Sequence, residues 1–170
     1  KHTLPSLNEV IIHLVPTLIN RVIDLTKTIC ERHPDADFET VIFGAYFHGL
    51  ISDRTDAVKE YLSNIKIAPS KICTILQASL DSLVKTVPTS IEGKILHDAH
   101  LLEGGKTFII VKCLATGAAR GQSLIETIAF MQNNILGKGK VALEENQAAF
   151  EEKQRYAQSF LNDLKKGLSL

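Results

Sequence analysis

Three side chains in this sequence have types and positions suited to holding a metal ion: His13, His48 and Asp98. Asp98 stands among Ile95, Leu96, Ala99 and Leu102, and a carboxylate in such company is costly to bury unless it is paired, hydrogen-bonded or bound to a cation. With two neutral imidazoles it makes a two-His-one-carboxylate set, an arrangement that suits iron and other divalent ions and leaves coordination positions open. Each residue also has a plainer reading. His13 alone fits a core histidine bonded to a backbone carbonyl, and His48 fits a cation placed where a helix C-terminus favours positive charge. Asp98 has Lys94 four residues earlier on the same helical face as an ion-pair partner.

The segments that must position these residues read as helices. Leu7, Val10, Ile11, Leu14, Leu18, Val22, Leu25 and Ile29 recur at intervals of three and four, one face of a helix that carries His13. Ser6 and Glu9 form a capping box at its start, and Pro16 predicts a kink or break inside it. Asp37 caps a second helix that runs to His48 and stops at Gly49. Asp53 or Thr55 opens a third, and Pro69, suited to a first helical position, opens a fourth. Ser90 caps a fifth, which carries Asp98 in its middle and ends at Gly104 and Gly105. Residues 106–116 and 123–133 read as two more helices around a turn from Gly117 to Gly121, and a basic loop at 137–140 precedes a long charged helix over 141–165. Seven or eight helices result, with the β-branched run from Thr107 to Val111 as the one strand-like stretch. No repeat, low-complexity segment or linker divides the chain, so residues 1–170 are expected to form a single domain.

The order of these motifs resembles the HD-domain metal-dependent phosphohydrolases, a family whose members place a His in the first long helix, a His-Asp pair at the end of the next, and a distant Asp, all on one metal. His13-Leu-Val-Pro16 resembles the opening helix and Phe43-Gly-Ala-Tyr-Phe-His48 the helix that ends in the pair. Lys94-Ile-Leu-His-Asp98-Ala-His100-Leu-Leu-Glu103 resembles the later Asp-Ala-Asp helix, and Ala115-Thr-Gly117-Ala-Ala-Arg120-Gly121 a glycine-rich turn of its small bacterial members. The likeness covers roughly residues 7–165. It implies an all-α, HD-domain-like bundle, a divalent metal (Mn, Fe, Zn or Mg) on His13, His48 and Asp98, and a small phosphorylated substrate, a nucleotide being the expected kind. Lys112 and Arg120 are the candidate substrate-binding residues.

Two acidic positions of that pattern are missing. Gly49 stands where the pair's Asp belongs, and His100 where the second Asp of Asp-Ala-Asp belongs. Residues two apart on a helix are turned by about 200°, so His100 and Asp98 face opposite ways and do not share one metal; His100 is not expected to replace the lost carboxylate. The functional expectation is metal-dependent phosphoester hydrolysis, weakened or lost. The alternative is a non-catalytic helical module that binds a nucleotide or a protein partner.

Composition excludes several other classes. Lys plus Arg and Asp plus Glu number 19 each, giving no field to recruit nucleic acid or an anionic membrane. No apolar run is long enough to span a bilayer. Cys30, Cys73 and Cys113 are odd in number and widely spaced, which fits reduced, buried thiols and a cytoplasmic protein. The first residue is Lys and not Met, which fits a chain trimmed from a longer one. His2, His33 and His97 are expected to be exposed, Glu103 to lie on the surface, and 144–153 to be a solvated helix face.

Overall fold

The computed structural model describes the backbone of residues 7–83 and 85–169, and side chains from Ile19 onward within them. Eight α-helices fill the described chain: α1 Leu7–Cys30, α2 Phe38–Phe47, α3 Ile51–Asn64, α4 Pro69–Asp81, α5 Ile91–Leu102, α6 Gly105–Ala119, α7 Leu124–Asn134 and α8 Gln147–Gly167. A short 3-10 turn, Glu144–Asn146, leads into α8. No strand occurs among the described residues, so the β-branched run at 107–111 is helical, inside α6.

Local chemistry explains most of the boundaries. Asp37 accepts from the Thr40 amide at 3.3 Å and from its hydroxyl at 3.0 Å at the start of α2. Ser90 accepts from the Gly93 amide at 3.0 Å at the start of α5, and Pro69 occupies the first turn of α4. Other boundaries differ from the sequence reading. α1 runs from Leu7 to Cys30 without a break at Pro16. α3 begins at Ile51, earlier than Asp53 or Thr55, and Arg54 within it leaves helical geometry at φ −136°. Gly117 is not part of a turn but an interior residue of α6, where a Cβ would strike Thr127 of α7; the turn falls at Gly121, with φ +74°. The last helix starts at Gln147, later than expected, because residues 139–146 serve another element, as described below. The Ser6–Glu9 capping box lies outside the described residues.

The chain divides into two compact units. One comprises Thr17–Glu103 with Gly139–Asn146. Its core joins Val22, Ile23 and Ile29 of α1, Val41 and Ala45 of α2, Ala78 of α4, and Ile95, Leu96 and Ala99 of α5. A second cluster ties α3 to α4 through Val58, Leu62, Ile72 and Ile75. The other unit comprises the first part of α1, Gly104–Lys138 and the chain from Gln147. Ile110, Ile128, Met131, Ala157 and Leu161 form its core, and Lys106 pairs with Glu152 at 2.7 Å on its surface.

Asp37 supports a first prediction. Besides capping α2 it pairs with Lys71 of α4, which also reaches Glu39 at 3.2 Å. The Lys71 hydrogen bond holds the Asp37 carboxyl below the usual carboxylate range. A depressed folded value means that this stabilisation is present above the unfolded value of about 4 and is lost as pH falls through the folded one. Asp37→Ala is expected to cost about 1–2 kcal/mol at neutral pH, chiefly as lost capping. In urea melts, the gap between wild type and variant should narrow only below about pH 4; a gap that persists to pH 2 refutes the assignment.

Candidate functional site

α5 projects its polar residues in three directions. Asp98 is fully buried, and its carboxylate accepts from the amides of Ala142 at 2.7 Å and Leu143 at 3.0 Å and from the Asn146 side-chain amide at 2.9 Å. Those donors, rather than Lys94, account for it among the described residues. The segment 139–146 is thus bent around one carboxylate, which is why the last helix starts late. His97, expected at the surface, is 2% exposed. Its Nδ1 lies 3.0 Å from the Asp81 carbonyl at the end of α4 and its Nε2 3.1 Å from the Lys140 carbonyl, so His97 and Asp98 together hold the same segment.

His100 points elsewhere. Its Nδ1 lies 2.9 Å from the Ser82 carbonyl, and its ring is 5.4 Å, centre to centre, from that of His48. His48 is the C-cap of α2, is buried, and sets its own Nδ1 2.5 Å from the Ala45 carbonyl. A carbonyl oxygen only accepts, so in each ring Nδ1 is the nitrogen that donates. The expectation that Asp98 and His100 face opposite ways holds. The face that meets His48, however, is that of His100.

The closeness of these rings has a structural cause one helical turn away. Gly44 lies four residues before His48, and Leu96 four before His100, so each pair shares a helix face. A Cβ on Gly44 would stand 2.5 Å from Leu96 Cδ1 and 3.6 Å from Ser79 Oγ. Ser79 donates to the Gly44 carbonyl at 3.2 Å. The glycine at 44 leaves room for Leu96 Cδ1 where a Cβ would otherwise stand. Gly49, after His48, has open space around its Cα.

Among the described residues no group of three or more His, Cys, Asp or Glu side chains gathers as a metal would require. His13 lies on α1, and its side chain is outside the described residues. Lys112 and Arg120 belong to the other unit. The Lys112 ammonium sits 5.9 Å above the Phe108 ring, and Arg120 is exposed at the C-terminal end of α6. Glu103 is not on the surface: it is 3% exposed and faces Arg21 of α1 at 3.5 Å. His33 is half-buried and meets Glu145 at 2.7 Å. Cys30 is buried, but Cys73 is exposed, which departs from three buried thiols. Among the described residues no helix is long and apolar enough to cross a membrane.

Solved structures share this architecture. YpgQ of Bacillus subtilis, solved in complex with ADP, is similar at a TM-score of 0.72 and 22% identity, over 89% of this chain and 85% of that one. The Lin1889 protein of Listeria innocua is similar at 0.72 and 22%, over 91% and 87%. An HD-superfamily hydrolase of Bacillus thuringiensis is similar at 0.68 and 17%, over 90% and 85%. The chain therefore has the all-α HD-domain fold. No family model and no curated protein matches it.

Proposed function

We propose that this chain is an HD-type phosphohydrolase-like protein that binds a divalent metal and a nucleotide, with hydrolysis weakened by the loss of two acids. The observation that carries the reading is His48: an imidazole buried at the end of α2, its Nδ1 tied to a carbonyl, at the position where the resembled family places a metal-binding histidine. Such tethering through the second ring nitrogen is the usual way a protein fixes the tautomer and direction of a ligating histidine. The fold shared with YpgQ, solved with ADP, supports a nucleotide as ligand.

A divalent ion at His48 would supply Lewis acidity toward a phosphoryl oxygen and an activated water. The chain's own part is to hold that imidazole in a dry setting and orient it. Gly49 withholds the neighbouring carboxylate, and Asp98, expected from sequence as a ligand, has both oxygens engaged by three protein donors. These two features also favour the second reading, a module that binds a nucleotide without turning it over.

Restoring the missing acid separates the two. Because nothing lies within 4 Å of where a Gly49 Cβ would stand, Gly49→Asp is expected to change stability by under about 0.5 kcal/mol, as an unstrained surface substitution does. It should raise Mn²⁺ affinity at least about tenfold, one ligand's worth of differential binding. It should also increase phosphate release from nucleoside di- or triphosphates. Metal content by plasma mass spectrometry and a phosphate assay on both proteins test this. Metal gained without turnover favours the module; no gain in metal overturns the placement of the site beside His48.

A further inference from the structure

We draw no further inference here: the strongest candidate, the buried carboxylate of Asp81 where the end of α4 packs on Gly93 of α5, with one oxygen that has no hydrogen-bond partner among the described residues, carries none, because no cluster of metal-ligating side chains gathers among the described residues and nothing in the structure shows what would occupy it.

Discussion

Asp98→Ala is expected to lower stability by about 4 kcal/mol and the melting temperature by roughly 10 °C, with or without chelator present. The reason lies in what the truncation leaves behind. Two backbone amides and the Asn146 side chain donate to this carboxylate inside the unit, and bonds to a charged acceptor are worth about 1.5–3 kcal/mol each. Removing the acceptor strands the buried Leu143 amide and Asn146 side chain away from water, where each costs the desolvation of an unpaired polar group. Asp98→Asn keeps the shape and one acceptor oxygen but turns an amide toward an amide, so a smaller loss of about 1–3 kcal/mol is expected. Thermal melts followed by circular dichroism, repeated in EDTA, decide the matter. A variant that melts like the wild type yet no longer retains metal would return Asp98 to the ligand role that its sequence position suggests.

That contrast marks what the sequence makes legible here. Capping at Asp37 and Ser90, and the entry of α4 at Pro69, are read correctly because each depends on atoms within three residues. The buried, polar character of Asp98 is legible too, since its neighbours on the helix are apolar. What satisfies it is not, because the donors come from residues 142–146, more than forty positions later. The same limit misplaces Glu103 and His97. Helical periodicity assigns a residue to a face, but whether that face meets water or a distant backbone carbonyl depends on a partner the local pattern does not contain. His97 finds Lys140, and Glu103 finds Arg21. Gly117 errs in another way: a glycine reads as a turn, although in α6 it serves close packing against Thr127.

The geometry of the His48 and His100 pair is legible only in part for a related reason. The rotation of about 200° between Asp98 and His100 follows from helix geometry, yet which of the two faces α2 depends on how α5 is turned. The buried side chains of Ile95, Leu96 and Ala99 set that turn by filling the core between α1, α2 and α4. With those three inward, His97 and Asp98 reach α4 and the 139–146 segment, and His100 reaches the end of α2. The missing acids in the sequence suggest a site that has only lost ligands. Position 100 instead carries an imidazole whose ring lies 5.4 Å, centre to centre, from that of His48.

Gly44→Val is the substitution that tests whether this neighbour relation depends on the helix crossing. Its side chain would meet Leu96 Cδ1, already 2.5 Å from a single added carbon, and Leu96 itself is fully buried. Overpacking a filled core costs about 1–3 kcal/mol when the backbone can shift, so a loss toward 3 kcal/mol is expected, with the shift taken up by α2 moving off α5. Gly44→Ala should lie between this variant and the wild type. Because His48 and His100 sit one turn beyond the crossing on the same two faces, their rings should part with it. At a temperature where the variant remains folded, the nuclear Overhauser contact between the two rings, 5.4 Å apart in the wild type, should be lost. A variant that loses stability but keeps that contact would show that the imidazoles are held by their carbonyl tethers alone, and that the approach of α2 to α5 serves packing without setting the ring pair.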